Sequence, residues 1–225
     1  MSERVKAASL VLDMNVYPRH QVADHHVRDM QNAVEAGVVL PPVIADRKSR
    51  RVVDGFNRIT RALRYEGEGA MIDVVWRTYR SEQDLFLDAI ALNSAHGLKF
   101  TSYDMARCIV VADELKIDPE MVASNLHITV ERLSELKATK TAIGPGSRIV
   151  PIKRTLHHLA GERITHQQIE GNRHAVGHHQ LFLVNQVINL LESNLLDTEN
   201  VGLMERVSVL AGLLKPHAAK ARKTG

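Results

Sequence analysis

Residues 10 to 80 alternate short apolar runs with stretches of helical spacing, and from Glu82 onward the spacing is helical to the end. That switch constrains the fold more than any other feature. It predicts an α+β class, with a small mixed α/β region followed only by helices. Between Asp24 and Ala36, Val27, Met30, Ala33 and Val34 recur on one helical face, ahead of Gly37, a good helix-stop residue. After Pro41-Pro42, Val43-Ile44-Ala45 reads as a short buried strand, Arg47 to Arg50 as a polar turn, and Arg51-Val52-Val53 as a second strand. A helix opening at Asp54-Gly55 carries Ile59, Ala62 and Leu63 and stops near Gly67, and Ile72 to Trp76 form a third strand. Val16-Tyr17, running into Pro18, reads as an extended entry.

In the helical part, one helix spans roughly Glu82 to Leu92. Thr101 or Ser102 caps the next, which runs to about Leu115 with Met105, Ile109 and Ala112 on one face. Pro119 opens another helix, at the position where proline is tolerated. Ile143-Gly144-Pro145-Gly146-Ser147 is the clearest breaker and reads as a boundary. Beyond it, Leu181 to Leu196 and Val201 to Leu214 are strongly apolar helices expected to pair as a hairpin, with a frayed basic tail after Pro216. The expected division is therefore an α/β domain over 1–80, a helical domain over 81–142 and a helical C-terminal segment over 147–225.

Composition narrows the function classes. A 44% hydrophobic and 24% charged chain is an ordinary folded protein, and 4% aromatics leaves little for stacking single-stranded bases. A net charge of +3 and an isoelectric point near 9.1 lean toward a polyanionic partner, so the placement of the cations matters. The single cysteine, Cys108, excludes an internal disulfide and fits a reducing compartment. The first residues lack the apolar core of a signal peptide, and no run approaches a membrane span, so the expected location is cytoplasmic.

The stretch Val52-Val53-Asp54-Gly55-Phe56-Asn57-Arg58-Ile59-Thr60-Arg61-Ala62 is a strand, a glycine turn and a helix start. Free amides and the dipole at a helix start attract anions, and arginine grips phosphate with two parallel hydrogen bonds. A tight turn with solvated arginines fits the same pattern. Together with Tyr17-Pro18-Arg19 and Leu40-Pro41-Pro42-Val43, this stretch resembles the ParB/sulfiredoxin-type N-terminal domain over roughly residues 10 to 140. Sulfiredoxin chemistry needs a cysteine where Phe56-Asn57 stands, so that branch is excluded. The resemblance to ParB proteins implies a nucleotide, CTP above all, at Gly55, Asn57, Arg58 and Arg61, with Asn93 and His96 from the downstream motif. In Leu92-Asn93-Ser94-Ala95-His96, leucine replaces that motif's carboxylate and cannot hold Mg²⁺, so metal-assisted hydrolysis is not expected.

Pro119 to Leu136 reads as helix, tight turn, helix. Val122 and Ala123 pack inward, His127 occupies the turn position where glycine is usual, and Thr129 caps a second helix whose Val130, Leu133 and Leu136 face the core. A plain helical hairpin looks the same, but the ParB resemblance places a DNA-reading helix-turn-helix here, over 119–137. Thr129, Arg132 and Lys137, with the basic flank Lys140, Arg148, Lys153 and Arg154, are the expected contacts to double-stranded DNA. Glu131 and Glu135 would repel phosphates.

His157-His158, His166, His174 and His178-His179 are dense, but only Glu162 and Glu170 lie nearby, so solvated or partly buried histidines are expected rather than a metal site. The apolar terminal helices favour a homodimer or a protein partner. The leading reading is a DNA-binding ParB-like protein, partition-like or transcription-regulatory, with a nucleotide as switch. A nuclease or phosphotransferase would need a carboxylate beside the glycine turn, where only Asp54 and Asp73 are near, and neither forms a familiar constellation. An adaptor built on the same fold is the third alternative.

Overall fold

The computed structural model describes residues 2–95, 98–174 and 180–221. The chain divides into two compact units, residues 1–177 and 178–225. The α+β class expected from the sequence is the one observed.

The first unit opens with a mixed four-stranded sheet. Strands β1 (Glu3–Lys6), β2 (Val43–Asp46), β3 (Val52–Asp54) and β4 (Met71–Arg77) lie in the order β1-β4-β2-β3. β2 and β4 are parallel, and the other two pairings are antiparallel. Helices α1 (Asp24–Glu35) and α2 (Phe56–Glu66) connect these strands. β1 was not expected, because a charged edge strand with only Val5 turned partly inward lacks the apolar run of a central strand. Val16-Tyr17 is not extended either. Both amides donate to the Asp13 carbonyl, at 3.1 Å each, and both side chains are buried in the resulting turn. Tyr17 stacks on Phe56 at 4.1 Å between ring centroids and closes a core with Val43, Val52, Ile59 and Val74.

Four helices follow: α3 (Glu82–Ala95), α4 (Ser102–Glu114), α5 (Pro119–Asn125) and α6 (Val130–Lys140). Their shared core holds Phe86, Ile90, Cys108, Ile109, Leu133 and Leu136. Thr101 starts α4 through a reciprocal cap with Asp104, the pattern that best fixes a helix start.

The glycine-proline breaker does not separate domains as expected. It is the turn of a hairpin between β5 (Thr141–Ile143) and β6 (Ile149–Pro151), in which Gly146 and Ser147 adopt φ of 71° and 61° to reverse the chain. Helix α7 (His166–His174) packs Ile169 on a small cluster of Ala142, Ile152 and Ile164. The second unit contains α8 (Gln180–Glu192) and α9 (Val201–Ala221), the latter continuing through Pro216 where fraying was expected. None of the described large apolar side chains of these two helices is buried.

Candidate functional site

A cavity of about 410 Å³ opens where the β3–α2 turn meets the end of α3, within the size range of small-molecule sites, roughly 300–1,000 Å³. Its floor is the predicted glycine turn. Gly55 has φ +108°, and a Cβ there would lie 2.6 Å from Val43 Cγ1. Only glycine combines that backbone with that close approach. Most of the wall is apolar, from Met30, Leu40, Ile44, Phe56, Leu92 and Leu98.

The polar groups are few and mostly engaged. Arg58 Nη1 donates to the carbonyls of Pro41 (2.8 Å) and Pro42 (2.7 Å), and Nη2 pairs with Asp54 at 2.5 Å. This arginine therefore ties the Pro41-Pro42 turn to α2, and only the rest of its fork is left for a ligand. Asn57 Oδ1 accepts from the Ala23 amide at 3.3 Å. Asn93 Nδ2 donates to the Ala89 carbonyl (2.9 Å) and the Val53 carbonyl (3.4 Å), bracing α3 on the sheet. Gly55, Asn57, Arg58 and Asn93 thus line the same cavity. Arg61 does not join them. Its guanidinium donates to Gln31 of α1 at 3.2 Å and pairs with Glu66 at 2.7 Å. His96 lies outside the described residues. Of the two candidate catalytic carboxylates, Asp54 is held by Arg58, and Asp73 sits across from Arg4 on the β1–β4 pair, away from the cavity wall.

Three wall residues escaped sequence reasoning: Tyr17, Arg19 and His26. Tyr17 and Arg19 stood inside a quoted motif, but nothing in the sequence shows that they would be buried. Burial, and then the neighbouring His25, lower the His26 pKa and keep the ring neutral at physiological pH. The segment carrying Tyr17 and Arg19 is bound to α4. Arg107 donates to the carbonyls of Met14 and Tyr17, Cys108 Sγ meets the Pro18 carbonyl at 3.4 Å, and His20 Nδ1 lies 2.8 Å from Asp104. The cavity wall and the helical core therefore share one strap.

On the other side of α4, α5 and α6 form the expected helix, tight turn and helix. His127 takes the left-handed turn position at φ +55°, and the Thr129 hydroxyl accepts from the Arg132 amide at 3.2 Å. Val122, Ala123, Leu133 and Leu136 are buried as expected. Val130 is not: it is 38% exposed, since the first turn of α6 stands clear of α4. The open face of α6 carries Glu131, Arg132, Ser134, Glu135 and Thr139. The expected cations divide. Arg132 pairs with Glu135 at 2.5 Å, Arg148 with Glu114 at 2.6 Å, and Lys137 with Asp113. Lys153 donates to the Arg173 carbonyl at 2.8 Å and stands over the Tyr103 ring. Lys140 and Arg154 have no carboxylate within ion-pair distance among the described residues; Lys140 ends α6, and Arg154 opens the short 3-10 turn that follows β6. Among the described residues no three histidine, cysteine or acidic side chains converge as metal ligands, and His178-His179 lie outside them.

No protein-family model matches the chain. It is 30% identical over 148 residues, 65% of its length, to the transcriptional regulator NovG of Streptomyces niveus, and spans 44% of that protein. The fold is similar to a Pnob8-like ParB N-domain, with TM-score 0.43 and 13% identity over 67% of this chain and 57% of that one. It is also similar to C-terminally truncated chromosome-partitioning protein ParB from Caulobacter crescentus, complexed to the centromeric parS site. There the TM-score is 0.44 and the identity 14%, over 60% of this chain and 70% of that one.

Proposed function

We propose that this chain is a DNA-binding, ParB-like transcriptional regulator that reads duplex DNA with α6 and works as a homodimer. The observation that carries the reading is the placement of α6. One face is anchored by Leu133 and Leu136, and the opposite face is open, with Lys140 and Arg154 beside its end. An anchored helix with an open face is what major-groove reading needs, and the flanking cations are placed to hold phosphates. Transcription is favoured over partition by the relative in Streptomyces niveus, a transcriptional regulator. Arg132 is the side chain best placed for base edges. Lys137, Arg148 and Lys153 serve phosphates only by leaving Asp113, Glu114 and the Arg173 carbonyl.

The test is affinity for mixed-sequence duplex across a salt series. With about four phosphate contacts, affinity is expected to fall on the order of 100-fold between 50 and 200 mM salt, and Lys140→Ala with Arg154→Ala lowers the salt slope by about 2. An affinity flat with salt would sink the reading and favour an adaptor.

The homodimer is supported by α8 and α9. Val184, Val187, Ile188, Leu191, Leu195 and Leu213 are each at least 38% exposed, and α8 carries a single charged residue, Glu192. An exposed apolar helix face is removed from water by burial, and a second copy supplies it without selecting for charge. No helix among the described residues is long and apolar enough to cross a membrane. Leu191→Glu in the full chain is expected to shift sedimentation from dimer to monomer with the circular dichroism of the first unit unchanged; a dimer that survives places the interface elsewhere.

A ligand in the Gly55 cavity is the switch in this proposal. Through the Met14–His20 strap, occupancy would bias the helical core that carries α6. CTP is the ligand that the ParB resemblance implies, with the Gly55 turn and the start of α2 as its phosphate seat. Leu92, where the motif has a carboxylate, argues against Mg²⁺.

A further inference from the structure

The reading that a ligand occupies the Gly55 cavity leaves its chemistry open, and the charges on the wall narrow it. Among the described residues, four ionisable side chains other than tyrosine face the cavity: Arg19, His26, Asp54 and Arg58. Asp54 and Arg58 neutralise each other at 2.5 Å, and His26 is neutral. Arg19 remains. It is 7% exposed, and no carboxylate of the described residues lies within ion-pair distance. Its partners are the carbonyls of Asn93 (3.2 Å), Lys99 (3.3 Å) and Leu98, and the Phe100 ring, 4.7 Å from its centroid. All of these contacts use Nη1, Nη2 or the guanidinium face, and nothing among the described residues accepts from Nε. Asp104, the buried acid of α4 that faces the strap, is taken by His20 and by the Thr101 amide and hydroxyl.

A second observation points to the same place. Tyr17 lines the cavity, and its buried hydroxyl finds no hydrogen-bond partner of ordinary geometry among the described residues, although the Asn57 side chain faces it. Buried donors without acceptors are rare in native folds, and buried cations are normally paired. The cavity therefore offers one uncompensated positive charge and one orphaned neutral donor inside a mainly apolar wall.

We propose that the cavity binds a small organic anion of single negative charge on an apolar body, anchored by Arg19 and Tyr17 rather than by Arg58. A carboxylate is the simplest such group: one oxygen accepts from Arg19 Nε and the other from Tyr17 Oη, while the body lies against Leu92, Leu98 and Met30. The wall offers only that one unbalanced positive charge to a triphosphate.

The experiment is calorimetric titration of the full chain, without DNA, with phenylacetate, hexanoate, phenylacetamide and CTP. At least one acid is expected to bind saturably at one per chain, and phenylacetamide at least tenfold more weakly than phenylacetate. Tyr17→Phe, which removes only the hydroxyl, is expected to weaken the acid about tenfold, as loss of a hydrogen bond to a charged group does. Arg19→Lys keeps the charge but removes the guanidinium fork and is expected to weaken it further. No saturable binding of either acid up to about 10 mM, or CTP binding that Arg58→Gln abolishes and Tyr17→Phe leaves unchanged, would overturn the proposal. Because DNA is absent, a failed salt titration on α6 and a failed ligand titration stay separate results.

Discussion

Gly55→Ala is expected to destabilise the first unit by roughly 3–5 kcal/mol, combining positive-φ strain with overpacking of about 1–3 kcal/mol each. The physical causes are independent. At φ +108° an L side chain is strained whatever space surrounds it. Here there is no space, since the new Cβ would meet Val43 Cγ1 at 2.6 Å and Arg58 Nε at 3.0 Å. Val43 is fully buried on β2 and cannot retreat, and Arg58 is fixed by two carbonyls and Asp54. For a unit of this size, each kcal/mol shifts the melting temperature by about 2–4 °C, so a loss on the order of 10 °C is expected. Thermal unfolding by circular dichroism checks it. A variant that melts within 2–3 °C of the parent would show that the turn relaxes freely, and the cavity floor would lose its claim to rigidity.

The second large effect belongs to Asp104. Burial, the largest single influence, acts to raise its pKa, but hydrogen bonds from His20 and Thr101 together outweigh it and hold the carboxyl at about 2. The folded value lies below the ordinary 3.8, so the ionised form stabilises the fold. That contribution, about 2 kcal/mol, is fully present above pH 4 and is lost as pH falls toward 2. Asp104→Ala removes it and also strands the His20 ring and the start of α4, for a cost of roughly 3–5 kcal/mol at neutral pH. Asp104→Asn should keep the shape and flatten the acid limb of the stability curve between pH 4 and 2. Urea midpoints measured across that range decide the matter, and an unchanged acid limb would remove Asp104 from the account.

Gly55 lies in the cavity floor and Asp104 on α4, and at these two positions sequence and structure contribute differently. Gly55 is part of the glycine turn read from the sequence, whereas the role of Asp104 follows from contacts with residues 84 positions earlier in the chain. Sequence patterns carry local information: a glycine before a helix, a threonine at a cap, a histidine in a left-handed turn. They carry no information on who meets whom, so Arg58 and Lys137 read as free cations until Asp54 and Asp113 are seen beside them.

The sequence by itself determined the α+β class, the β3–α2 glycine turn and the α5–α6 turn, because each is set by propensities within a dozen residues. Only the tertiary structure decided the rest. It made β1 an edge strand, turned the Gly144–Ser147 breaker into a hairpin, and spent Arg58 on Pro41, Pro42 and Asp54. It also left Arg19 buried without an acid. The reason is that the fate of a charge depends on its distance to every other charge in the folded chain, and that distance is set by packing rather than by order along the sequence.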